Sequence, residues 1–435
     1  MHGSPPVADR RPVSSAPRPV RGHRRRYLGV LRYAGPGLLV SVGYMDPGNW
    51  ATDIEAGSHY GYALLFVVLL SGLAAMQLQS LSMRLGIVTG QDLARLTRAR
   101  YGRAAAWFLW PIAEIAMIAT DIAEVLGSAL ALQLLFGLPL WIGVLVTVFD
   151  TLLILGLRGK GIGRVETITL GLVATITLCF VIQLLLVHPD PAQVAAGLLP
   201  SDVLSDPRAL YVAIGIIGAT VMPHNLYLHS SVVRSRFGRS DSAKDRGLRF
   251  ATIDMLAALG LAIFVNAAIL ALAAAAFHAT GHHGVTDIAE AYRLLTPLTG
   301  ARAAAILFGV ALLASGQSAT FTGTIAGQVV LEGFTSFRLA AWQRRAITRG
   351  LALIPALIGV LLFGSHATGT MLILTQVVLS IALPFTVYPL IRLTGAPDLM
   401  GRHVAGMPAK SVAWSLLLLI VAADICLLRE AIAIP

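Results

Sequence analysis

From Leu38 to the C-terminus the chain is a succession of apolar runs, most of them about 18 residues or longer, separated by short polar breaks. A helix of that length crosses roughly 30 Å of hydrocarbon. Inside a bilayer only helices and closed barrels satisfy every backbone N–H and C=O. The runs fall near 34–56, 61–84, 106–134, 138–157, 165–187, 210–231, 250–277, 302–331, 347–363, 369–391 and 411–428. An all-α polytopic membrane protein of about 11 spans is therefore expected. Only 13% of residues are charged, half the usual quarter of a soluble domain, so the lipid bilayer is the expected solvent. Residues 1–33, rich in Arg, Pro and Ser, show neither an apolar signal core nor a small-residue cleavage site. They read as a disordered, basic cytoplasmic tail.

The formal charge of +11 does not imply a nucleic-acid partner, because the basic residues cluster in loops beside spans, where anionic lipid and topology account for them. Arg24, Arg25, Arg26 and Arg32 precede span one; Arg95, Arg98, Arg100 and Arg103 follow span two; Arg158, Lys160 and Arg164 follow span four. Arg234, Arg236, Arg239, Lys244, Arg246 and Arg249 follow span six, Arg338, Arg344 and Arg345 span eight, and Arg392, Arg402 and Lys410 span ten. Positive loops stay inside, which predicts a cytoplasmic N-terminus and an extracytoplasmic C-terminus. The Ala, Arg and Gly bias suggests a bacterium, hence the plasma membrane, and a monomer is expected. Cys179 and Cys426 both lie in apolar runs and support neither a disulfide framework nor a thiolate metal site.

Span one contains Asp46-Pro47-Gly48-Asn49, and span six contains Met222-Pro223-His224-Asn225. Proline removes an N–H and clashes with the preceding turn, so each motif is expected to unwind its helix and free carbonyls at mid-membrane. Such backbone is tolerated only where it lines a cavity, and paired interruptions in two halves mark a transporter's binding site. Residues 34–187 and 210–391 then form two five-span repeats of a 34–391 transport core. An odd number of spans per repeat makes the second copy inverted. Span eleven, 411–428, is an addition.

Asp46 offers a carboxylate, Asn49 an amide oxygen and Met222 a thioether. An ion at bilayer depth needs a partner. A soft neutral sulfur favours manganese, iron or cobalt, or cadmium as a mimic, over calcium and magnesium. Span three places Glu114, Asp121 and Glu124 at i, i+7 and i+10 on one helical face. Acids in series with a histidine, here His224, are typical of intramembrane proton relays. Arg345 and Arg349, one turn apart near the start of span nine, offset those acids if the helices touch. Asp150, Glu166, Asp254, Glu332 and Asp424 are given no role beyond paired or gate charges. His278, His282 and His283 are read as a solvated extracellular loop that could gather metal.

The Asp-Pro-Gly-Asn and Met-Pro-His-Asn motifs, with LASGQSATFTGTIAGQVVLEGF over 313–334, resemble the signatures of the Nramp family of proton-coupled divalent metal transporters. The resemblance covers spans one to ten. It implies a sodium-symporter-type 5+5 inverted repeat with discontinuous helices 1 and 6, working as a secondary importer and not an enzyme. Mn2+ is the foremost cargo, with Fe2+, Co2+ and Cd2+, and no cofactor is called for. It also implies metal ligation by Asp46, Asn49 and Met222, by the Ala219 and Gly43 carbonyls, and by Gln376, and proton passage through His224, Glu114, Asp121, Glu124, Arg345 and Arg349. Relatives commonly have Ala at the position of Gly43, so a looser local backbone is expected there. Ala382 stands where many relatives have Gln.

Two alternatives share the architecture. An amino-acid or sodium symporter lacks a reason to place Asp46 against a carboxylate-bearing substrate, and a magnesium carrier lacks a reason for Met222. No HExxH, GxSxG or CxxC motif points to a membrane enzyme.

Overall fold

The computed structural model describes residues 35–433 apart from 159–161, 235, 239, 301, 336, 338 and 365–367. The basic tail 1–33, Lys160, Arg239 and Arg338 lie outside the described residues.

One local rule sets both helix breaks. A residue before proline is driven to extended backbone, and proline suits the first turn of a helix because its missing N–H has no intrahelical acceptor there. Asp46 has φ −73° and ψ 165°, Met222 has φ −82° and ψ 125°, and each is the N-cap of a helix beginning at the proline. Span one is thus α1 (Pro36–Ser41), a 3-10 turn (Val42–Met45) and α2 (Pro47–Tyr60). Next come α3 (Leu65–Thr89), α4 (Leu93–Phe136), α5 (Leu140–Arg158) and α6 (Ile162–Val187). Span six is α7 (Pro207–Thr220) and α8 (Pro223–Val233). The rest are α9 (Asp241–Ala276), α10 (Ile288–Thr299), α11 (Arg302–Thr335), α12 (Ala341–Phe363), α13 (Thr368–Thr394) and α14 (Met407–Ala433).

Among the described residues no strand occurs, and nine helical segments are long and apolar enough to cross a membrane, with Pro36–Met45 and Leu140–Phe149 as shorter apolar pieces. The chain is a multi-pass helical membrane protein. Three elements differ from the sequence reading. The loop between spans seven and eight contains α10, and the loop after span five contains a short helix, Pro191–Gly197. In addition, α4 starts at Leu93, well before position 106, and is interrupted at Gly102, whose φ of 82° glycine adopts without strain. The segment before Gly102 carries Arg95, Arg98 and Arg100 and begins at the cap Asp92, which accepts from the Arg95 N–H at 2.9 Å.

Burial separates core helices from lipid-facing ones. In the most apolar stretch of span six 83% is buried, and 78% in α4, but only 28% in α6 and 22% in α14. Leu185, Leu362 and Leu418 are exposed on the outer helices, as a lipid-facing belt requires. At the centre α4 packs along α11, and α2 is enclosed by α4, α7, α9 and α13. Gly127 of α4 admits the Pro47 ring, where a Cβ would overlap it. The fully buried Trp50 holds α2 edge-on to Phe180 of α6 at 4.9 Å and Phe308 of α11 at 5.2 Å. The N–H groups of Gly35 and Gly37 donate to the Asp254 carboxylate at 3.2 and 2.7 Å, docking the start of α1 on α9. Beside them Glu166 pairs with Arg236.

Candidate metal site and buried acid network

The carbonyls freed at the first break find partners. The Tyr44 carbonyl accepts from the Asn49 side chain at 2.8 Å and the Asn266 side chain at 3.0 Å. The Met45 carbonyl accepts from Trp50 Nε1 at 3.2 Å and Ser315 Oγ at 2.5 Å. Unwound backbone away from water needs such donors, and tertiary neighbours on α9 and α11 supply half of them.

These bonds orient the side chains. With its amide nitrogen committed to Tyr44, Asn49 presents Oδ1 without a partner. Asp46 caps α2 by accepting from the Asn49 N–H at 2.9 Å through Oδ1, leaving Oδ2 unpaired. The Asn225 amide nitrogen lies 3.8 Å from Met222 Sδ as donor, so its Oδ1 is also unpaired. Gln376 donates to Thr375 Oγ1 at 3.0 Å and keeps Oε1 unpaired. All five residues are at least 99% buried. A buried acceptor left unmade forfeits about 1–3 kcal/mol, and four such oxygens lie on the two breaks and on the residue packed against Gly48, with the Met222 thioether beside Asn225.

Glycine closes the shell. A Cβ on Gly48 would overlap the Gln376 amide, bringing α13 onto the start of α2. A Cβ on Gly43 would overlap the Asn225 amide. Gly43 thus lets the Asn225 amide approach the unwound segment. The buried Ala219 lies in the last turn of α7, where helix carbonyls lack intrahelical donors, and neighbouring Gly218 sits against the Gln376 carbonyl. Ala382 is packed with Met222, Ala116, Ala119 and Leu379 in an apolar patch. Among the described residues no three His, Cys, Asp or Glu side chains gather as a metal cluster. The donor set is one carboxylate, amides and a thioether.

The acids behave differently. Arg345 Nη1 lies 2.5 Å from Asp121 Oδ1 and its Nη2 3.3 Å from Glu124 Oε2, while Arg349 Nη1 is 3.6 Å from Glu124 Oε2. Arg349 also donates to the Thr147 carbonyl of α5 at 3.2 Å. The anticipated contact between spans three and nine therefore exists. Glu114 does not join it; its partners are Arg344 at 2.7 Å and Trp110 Nε1 at 2.8 Å. In the sequence Arg344 reads only as a loop charge, because side-chain spacing cannot tell which of two adjacent arginines turns inward. His224 Nδ1 is 3.3 Å from the Thr120 hydroxyl, next to Asp121.

Several further buried polar groups are ones that sequence reasoning misses. Asn225 belongs to the second motif, yet nothing in the motif alone separates it from a packing residue. His229 Nδ1 meets Gln79 Oε1 at 2.8 Å, and Gln79 Nε2 donates to the Tyr44 hydroxyl at 2.7 Å. Asp53, two turns along α2 from Asp46, is 1% exposed with Oδ2 unpaired. An Asp inside an apolar helix is a signal, but here it carries no motif.

The fold and the two broken helices define a membrane transporter of the discontinuous-helix class. Two solved structures share the fold at low identity: Mhp1, a nucleobase-cation-symport-1 family transporter, at TM-score 0.56 and 14% identity, covering 90% of each chain, and MhsT in complex with L-phenylalanine, at 0.60 and 13%, covering 89% and 98%. Residues 37–430 match the family described as Nramp, natural resistance-associated macrophage protein-like, and the chain belongs to that family. It is 56% identical over 406 residues to the divalent metal cation transporter MntH of Ralstonia nicotianae, spanning 93% of this chain and 92% of that one. It is 58% identical to the divalent metal cation transporter MntH 1 of Pseudomonas aeruginosa, over 91% of each. A crystal structure of the Eremococcus coleocola manganese transporter superposes with TM-score 0.85 at 37% identity, covering 93% and 87%.

Proposed function

We propose that this protein imports divalent transition-metal ions, Mn2+ foremost and also Fe2+, Co2+ and Cd2+, by alternating access coupled to protons. The observation that carries the reading is the set of four unpaired buried oxygens at the breaks and their glycine contacts, Asp46 Oδ2, Asn49 Oδ1, Asn225 Oδ1 and Gln376 Oε1, with the Met222 thioether next to the Asn225 amide. A single carboxylate and neutral donors suit a cargo that must also leave, and the thioether favours softer ions over Ca2+ and Mg2+. The Ala219 and Gly43 carbonyls complete the proposed ligand set. The names of the relatives, divalent metal cation transporter and manganese transporter, agree with it.

In this reading the proton route runs from His224 past Thr120 to Asp121, Glu124 and the Arg345–Arg349 pair, with Glu114 and Arg344 at its edge. The protein works as a monomer in the plasma membrane with its N-terminus inside. In liposomes with an inside-negative potential and mildly acidic exterior, Mn2+ entry accompanied by internal acidification is expected, and Asp46→Ala should abolish the entry. Absence of Mn2+ entry in the wild-type protein would overturn the assigned cargo.

A further inference from the structure

The far end of α2 holds a second group of donors. From Asp46 to Ser58 the helix rises about 18 Å, at about 1.5 Å per residue, so this end is remote from the central site. Ser58 lies in the last turn, where helix carbonyls lack intrahelical donors and the dipole favours cations. His278 Nδ1 is 3.0 Å from the Ser58 carbonyl oxygen and 3.2 Å from His283 Nδ1. His278 Nδ1 thus stands within hydrogen-bond distance of both the Ser58 carbonyl oxygen and His283 Nδ1, the proton assignment depending on the tautomer. Two imidazole nitrogens bound tetrahedrally at 2.0–2.1 Å stand about 3.3 Å apart, close to the separation seen.

The surroundings keep the pair in place. Glycines at 281 and 284, with φ of 82° and 103°, turn the chain so that His283 folds back over His278. Ser58 Oγ donates to the Val285 carbonyl at 2.9 Å, tying that loop to α2. His282 faces Thr280 Oγ1 at 3.0 Å and stays out of the pair. His59 is engaged by Arg208, 2.8 Å from its Nε2, and Arg208 also pairs with Glu55. Exposed His283 leaves the point open to water.

We propose that His278 Nδ1, His283 Nδ1 and the Ser58 carbonyl form an outer docking site for a divalent late first-row metal ion, the class imidazole prefers. Both imidazoles adopt their Nε2–H tautomer, so that each Nδ1 offers its lone pair to the ion. With two imidazoles and a carbonyl, and among the described residues no third acidic, thiol or imidazole side chain gathered with them, the other positions belong to water and exchange is fast. The proposal deepens the transporter reading, on which it rests for its purpose: it places a capture point at one end of the helix whose other end is capped by Asp46.

The test is Co2+ titration of the purified full-length Asp46→Ala protein, followed by calorimetry and visible absorption. A bound Co2+ with nitrogen-ligand absorption is expected, its affinity falling by about tenfold or more when His283→Ala is added. His283 is exposed, so that variant leaves the buried packing intact; His278→Ala should repeat the effect. Co2+ binding unchanged by His283→Ala, or no binding to the Asp46→Ala protein, overturns the outer site and leaves the central reading untouched. Failure of wild-type transport would sink the central reading without altering this titration.

Discussion

The two buried polar regions of this protein are balanced in opposite ways. At the helix breaks the side chains spend their N–H donors on backbone and on one another and leave oxygens unpaired, at Asp46, Asn49, Asn225 and Gln376, with no cationic side chain among the described residues paired to them. In the acid network one oxygen of Asp121 and one of Glu124 face the guanidinium groups of Arg345 and Arg349 at 2.5 to 3.6 Å, while Asp121 Oδ2 and Glu124 Oε1 make no hydrogen bond. Among the described residues the first region has no side-chain cation against its carboxylate, and the second has two. In the proposed reading the first takes up and releases an ion, and the second is a proton path whose charges are balanced as they move.

Asp46→Ala should break the contrast most completely, abolishing Mn2+ uptake in liposomes while thermal unfolding in detergent moves only by the lost α2 cap, about 1 kcal/mol, since the carboxylate contributes no ion pair. Arg345→Ala should do the reverse to stability. It leaves Asp121 and Glu124 short of their nearest cation, and breaking a buried pair is destabilising by about 3–5 kcal/mol, readable as a lowered detergent melting temperature. Gly48→Ala should displace Gln376 and weaken Mn2+ binding by about tenfold, a loss of roughly 1.4 kcal/mol, measured calorimetrically; unchanged affinity would remove Gln376 from the ligand set. For Asp121→Asn, simultaneous recording of internal pH and metal is expected to show proton flux falling more than Mn2+ uptake, and an equal fall in both contradicts a separate proton route. The smallest change belongs to Met222→Ala, which should retain Mn2+ transport but lose discrimination against Ca2+ and Mg2+ in competition uptake.

Much of this contrast is legible in the order of residues. The breaks are local: proline dictates the backbone of Asp46 and Met222 and the helix start that follows, whatever surrounds them. Helical periodicity puts Asp121 and Glu124 on one face, and they do meet the span-nine arginines. Periodicity also puts Glu114 on that face, yet its carboxylate turns to Arg344 and Trp110.

Residue order by itself determined the apolar spans and the two interruptions, because each follows from hydropathy or from covalent geometry within a few residues, and it put Asp46, Asn49 and Met222 at those interruptions. Which atoms of those donors remain available was decided only in three dimensions. Asn49 presents its oxygen because the Tyr44 carbonyl takes its nitrogen, and Gln376 reaches the site because Gly48, 328 positions earlier in the chain, has no side chain to exclude it. A hydrogen bond or a close approach between distant segments is a property of the packed bundle, and no local rule along the chain encodes it.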